Sequence, residues 1–173
     1  GADPDETATR LLAWMDIATL LVTRRKPEEA LAWVERGIDL DKKTAHGSMA
    51  GHDLAKLKRE LLTKLGRSNE ARDAAWADYR EHPSKYTYDD LMKFVPKAER
   101  TKWHEKAIEA AKGADLHCLM NLLLQTKELD RLAELVRRTE DQALEGLSHY
   151  ATEPVAKKLD KTHPDLAARL WRA

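Results

Sequence analysis

Histidines beside acidic residues are the first places where this 173-residue chain could do chemistry. His46 and His52, with Asp53 adjacent, supply two imidazoles and a carboxylate, the donor types of a zinc centre. A metal site needs three or four convergent donors with outer support, so the two histidines read instead as a loop residue and a helix-opening residue. His104-Glu105 resembles the start of a zinc-protease helix, but Ile108 stands where the second histidine is required. Cys118 follows His117, yet neighbours on a helix point about 100° apart and make no nucleophile–base pair, so Cys118 reads as a small buried thiol. The paired carboxylates Glu28-Glu29, Asp89-Asp90 and Glu140-Asp141 stand at helix openings, where negative charge complements the dipole. The seven glycines are scattered over turns and form no phosphate-cradling loop. No enzyme activity, metal or cofactor is expected.

Two sets of polar residues suit binding rather than catalysis. His117, Asn121 and Gln125 recur at four-residue steps through an apolar segment, which keeps them along one helix edge. Asn121 carries one carbonyl acceptor and an amide donor pair, matching the groups of a peptide backbone. The alternatives are a solvated edge, or a buried amide linking two helices. Lys56 and Arg59 lie three apart and share a helix face, although Glu60, four from Lys56, can neutralise it.

The elements that position these residues are helical throughout. Apolar periodicity predicts helices over Asp5–Thr23, Pro27–Asp41, His52–Leu65 and Ser68 to just before Pro83, with a long loop over Thr44–Gly51. Gly66 sits where a left-handed residue is wanted after a helix. Further helices are expected over Tyr88–Val95, Lys97–Lys112, Leu116–Thr126 with Asp115 as its cap, Glu128–Thr139, Asp141–Tyr150 and Pro154–Lys161, and a last one opens at Pro164. The five tryptophans fall at helix positions suited to wedging between neighbours. The last helix has an apolar edge of Leu166, Leu170 and Trp171 and stops without a cap. That edge predicts either a longer protein or self-association through the C-terminal helix.

Composition narrows the partners. Thirty basic and thirty acidic residues balance, so no strong field would draw this stretch to nucleic acid or anionic lipid. An apolar fraction of 42% is ample for a core. No apolar run reaches the roughly 18–20 residues that cross a bilayer. A single cysteine makes no internal disulfide. A cytoplasmic location without a membrane partner is the simplest expectation.

The chain also repeats itself. Pro27–Asp41 and Ser68–Pro83 carry the same pattern of an acidic residue before alanine, then small or apolar residues every three or four positions. The spacing from Ala30 to Ala71 leaves room for two helices and their turns, which predicts an all-α, right-handed superhelix of antiparallel helix pairs over residues 1–173. The residues Leu61, Gly66, Asn69, Glu70, Ala71, Trp76, Tyr79 and Pro83 resemble a tetratricopeptide-like repeat. Ala30, Val34 and Gly37 match its second helix, with Arg25 and Lys26 where the turn glycine is expected. That resemblance implies a non-catalytic interaction scaffold whose groove, lined by His117, Asn121, Gln125, Lys56 and Arg59, takes a protein or peptide. The run from Trp76 through Pro83, Ser84, Tyr86 and Leu91 to Trp103 is also similar to the helical region accompanying bacterial SWIM-type zinc fingers. This implies an accessory role beside a zinc module lying outside these residues.

Overall fold

The computed structural model describes residues 4–43 and 49–172. Eleven α-helices account for most of them, and the described residues contain no strand. They are α1 (Pro4–Thr23), α2 (Pro27–Asp41), α3 (Met49–Lys64), α4 (Ser68–Glu81), α5 (Lys85–Lys93), α6 (Arg100–Ala110), α7 (Leu116–Gln125), α8 (Leu129–Arg138), α9 (Asp141–Glu145), α10 (His149–Leu159) and α11 (Pro164–Arg172). Short 3-10 turns over Lys97–Glu99 and Ala111–Gly113 flank α6. Backbone packing groups the chain into two compact units, Gly1–Ala75 and Trp76–Ala173.

In the first unit α1 packs on α2 and α2 on α3. Leu11, Ala18, Ala30, Val34 and Leu54 are fully buried there, and Trp14 meets Trp33 edge-on at 6.5 Å. Gly37 lets the helices close up: a Cβ there would lie 2.7 Å from a Leu54 methyl and 3.2 Å from the Trp14 ring. Helix α3 includes Met49–Gly51, where a loop is expected. Gly51 is buried in its first turn, where a Cβ would sit 1.8 Å from an Asp41 carboxylate oxygen. A side chain there would force Asp41 to move, so Gly51 is a packing residue within the helix and not part of a loop.

The second unit is built around Tyr79, Leu91, Trp103, Met120, Leu132, Val155 and Leu170. The Tyr79 hydroxyl is buried and donates to the Ala107 carbonyl at 2.7 Å, joining α4 to α6. Trp76 stacks on Tyr79 and meets Trp103 edge-on, as expected of wedging rings. Trp171 is different, remaining 46% exposed and tilted against His149. Leu166 and Leu170, its expected companions on an open edge, are buried within the unit, where α11 packs on α10, α8 and α9.

Three interhelical turns share one geometry. Arg25, Gly66 and Lys127 all have positive φ, at 56°, 75° and 61°. In each, the next residue donates back to a carbonyl five positions earlier: Lys26 to Leu21, Arg67 to Leu62 and Glu128 to Leu123. This is the Schellman closure of a helix. Each turn is followed by an ion pair three residues apart: Lys26–Glu29, Arg67–Glu70 and Glu128–Arg131. The residue five past the left-handed position is in every case fully buried: Ala30, Ala71 and Leu132. Arg25 and Lys127 adopt the left-handed conformation without being glycine.

The helix expected over Asp141–Tyr150 ends at Glu145, and two further boundaries move for identifiable reasons. Helix α5 begins at Lys85, not Tyr88, because Ser84 and Thr87 form a reciprocal capping box. The Ser84 hydroxyl accepts from the Thr87 N–H at 3.2 Å, while the Thr87 hydroxyl accepts from the Ser84 N–H at 3.1 Å. Pro154, expected to open a helix, lies inside α10. Its ring removes an N–H that would reach the Tyr150 carbonyl, and both residues are exposed, so water can serve that carbonyl.

Candidate functional site

The most organised polar cluster in the second unit joins α5, α6 and the opening of α8. Tyr88 is held on α5 by the Ser84 cap, His104 projects from α6, and Glu128 follows the left-handed Lys127. The Tyr88 hydroxyl lies 2.8 Å from His104 Nδ1, and His104 Nε2 lies 2.7 Å from Glu128 Oε1. A carboxylate only accepts, so in its neutral form the ring carries the proton on Nε2 and takes the Tyr88 O–H at Nδ1. Burial first, then the neighbouring charges of Asp89 and Glu128, push the Tyr88 hydroxyl above its ordinary pKa, which keeps it protonated. Both ring nitrogens are thus engaged within the protein.

Charge surrounds this chain of hydrogen bonds. Arg131 donates to Glu105 at 2.7 Å and lies 3.6 Å from Glu128. The Arg131 hydrogen bond lowers the Glu105 pKa, so Glu105 is a carboxylate at neutral pH. One donor atom from each of His104, Glu105 and Glu128 falls within 4.8 Å of the others. A hollow of about 500 Å3 opens beside them, lined by Tyr88, Asp89, Met92, Arg100, Thr101 and His104 among others.

The profile of a family of unknown function, DUF6880, matches residues 2–173. The chain belongs to DUF6880. No curated protein and no solved structure matches it.

The residues singled out from the DUF6880 sequence occupy varied places. On α7, His117 is exposed and Asn121 half-buried. Gln125 donates its amide to both carboxylate oxygens of Asp89 at 2.7 Å, so it links α7 to α5. Lys56 is exposed on α3, whereas Arg59 is buried. Lys56 and Arg59 belong to the first unit and the α7 stripe to the second. His52 is exposed on α3, and His46 lies outside the described residues. Asp115 is the expected cap, accepting from the Cys118 N–H at 2.9 Å. The half-buried Cys118 thiol is pushed up first by its hydrogen bond to Asp115 and then by burial, so it is a protonated thiol at neutral pH.

Sequence reasoning missed the Tyr88–His104–Glu128 chain. A motif search around His104 looks four residues along its own helix, to Ile108, which is buried in the core. The true partners are 16 residues before and 24 after, on other helices. It also missed a second hollow in this DUF6880 chain, of about 600 Å3, across α6, α7 and α8. Its floor is Ile108, Leu119, Leu123 and Leu135, and its rim includes Lys112, Asp130 and Arg138. None of the polar α7 stripe lines it.

Proposed function

We propose that this protein is a non-catalytic interaction module of the tetratricopeptide-like type, a right-handed superhelix of antiparallel helix pairs that receives a segment of a partner protein. The recurring left-handed turn at Arg25, Gly66 and Lys127 supports the repeat reading, because each turn opens a helix with the same buried position. The observation that carries the function is the α6–α8 hollow, whose apolar floor is framed by side chains of both signs. Apolar side chains of a bound helix or strand would supply affinity on the floor. Rim charges would set register and suppress wrong partners. Asn121, half-buried on the other edge of α7, offers a backbone-like donor and acceptor for the same role.

The test is affinity capture with the wild type beside Leu119→Lys and Asn121→Ala. Leu119 is half-buried on the hollow floor, so a lysine there places a charge in the binding surface with little effect on the core. Loss of a reproducible partner with Leu119→Lys alone supports the hollow. Loss with Asn121→Ala alone moves the site to the polar stripe. Equal recovery with all three proteins rejects both surfaces.

A further inference from the structure

We infer that His104, Glu105 and Glu128 form a binding site for a first-row transition-metal dication of the zinc type, which staples α6 to the opening of α8. The donor set is one imidazole nitrogen and two carboxylate oxygens, all within 4.8 Å. Three protein ligands with a water in the fourth position are a standard tetrahedral arrangement for zinc. The imidazole disfavours magnesium and calcium, which prefer all-oxygen surroundings.

The surroundings are those a ligating histidine needs. Such a ring is oriented by a hydrogen bond on its other nitrogen, and Tyr88 supplies one at Nδ1, 2.8 Å away. When Nε2 turns its lone pair to a metal, the ring proton moves to Nδ1, which then donates a hydrogen bond to the Tyr88 oxygen. A hydroxyl serves either tautomer, so the ring need not rotate. Arg131 holds both carboxylates at their Oε2 atoms, 2.7 Å from Glu105 and 3.6 Å from Glu128. His104 Nε2 and Glu128 Oε1 are already 2.7 Å apart. Metal–ligand bonds of about 2.0–2.2 Å require slightly wider spacing for that pair and a modest approach by Glu105. The Glu105 side chain is 55% exposed and has room to turn.

The repeated turn gives an independent reason to treat this corner as special. In the first two turns the cation comes first, as Lys26 or Arg67, and pairs along its own helix with Glu29 or Glu70. In the third the order is reversed, placing the carboxylate of Glu128 first. Reversal is not needed to close the helix, since the backbone bonds of the three turns match. What it does is bring a carboxylate back across 24 residues to His104.

The experiment is calorimetric titration of zinc chloride into the whole chain at neutral pH, with Glu105→Gln, Glu128→Gln, Tyr88→Phe and Arg131→Met in parallel. One saturable equivalent is expected for the wild type. Glu105→Gln and Glu128→Gln should each weaken it by at least tenfold, and loss of the outer partner in Tyr88→Phe by about tenfold. Arg131→Met should act in the opposite direction and tighten binding, because Arg131 competes with the metal for both carboxylates. A cluster that only pairs charges would show no such rise. Glu105 is exposed at the surface, so Glu105→Gln should fold and keeps the test valid even if Glu128→Gln is unstable. The inference is overturned if the wild type takes up no saturable equivalent, if Glu105→Gln binds as tightly as the wild type, or if Arg131→Met weakens binding.

Discussion

Arg169 is the side chain whose removal should cost the second unit most for its position near the surface. It reaches from α11 to the end of α8, donating to the Val136 carbonyl at 2.9 Å and the Thr139 carbonyl at 2.8 Å. It also donates to Asp141 at 2.9 Å, at the start of α9. Val136 is among the last residues of α8, whose carbonyls have no partner within the helix, so Arg169 does the work of a C-cap from 33 residues away. Charge-assisted hydrogen bonds contribute about 1.5–3 kcal/mol each when well shielded. The side chain is 25% exposed, so water recovers part of what Arg169→Ala removes. The expected net loss is about 2–3 kcal/mol, or roughly 5–10 °C in Tm for a chain of this length. Arg169→Lys should recover less than half, since one ammonium cannot reproduce a fork that serves three acceptors. The assay is denaturant unfolding followed by amide exchange across Leu135–Asp141 and α11, with Arg172→Ala as control. Arg172 is exposed and, among the described residues, donates only to Ala168 on its own helix, so it should stay within about 0.5 kcal/mol of wild type. If the two alanine variants are equally stable, the clamp contributes nothing and the reasoning fails.

Lys127→Gly should stabilise by about 0.5–1 kcal/mol, because φ of 61° strains any side chain and suits glycine; a loss of stability on thermal unfolding would contradict the turn assignment. Asp115→Ala should cost about 1 kcal/mol at neutral pH by uncapping α7. Its hydrogen bonds to the Cys118 side chain and N–H lower the Asp115 pKa, so the folded chain holds that proton less tightly than the unfolded one. The difference between Asp115→Ala and wild type should therefore shrink as pH falls below about 3.9 and vanish below the folded-state value, as followed by thermal unfolding across an acid series. Tyr79→Phe should lose about 1–2 kcal/mol with its buried bond to Ala107. Burial raises the Tyr79 pKa, so in wild type stability should decline as pH climbs past about 10, where the unfolded chain ionises first. The variant should show a shallower alkaline decline, and identical slopes would remove Tyr79 from that account.

Local interactions made much of the helical fold legible before any coordinates. Asp115 announces a cap because its short carboxylate reaches the N–H three residues on, and Gly66 announces a stop because it alone accepts positive φ freely. Pro27 and Pro164 mark helix starts for the same local reason: a missing N–H matters little there. The 41-residue echo between Pro27–Asp41 and Ser68–Pro83 likewise corresponds to two matching turns. Where local rules misled, the tertiary surroundings differ: Gly51 is buried in α3 against Asp41, and Pro154 is tolerated because its side of α10 faces water.

The candidate site was far less legible. Periodicity placed His117, Asn121 and Gln125 on one edge of α7, but could not say that Gln125 would meet Asp89, 36 residues earlier. Nor could it join Tyr88 to His104 and His104 to Glu128, or Arg169 to the end of α8. The sequence alone determined an all-helical chain, the Asp115 cap and the Gly66 stop, because those depend on groups within a few residues of one another. Tertiary structure alone decided which polar side chains converge, because a side chain's partners across helices follow from how the apolar faces pack, and no local spacing encodes that.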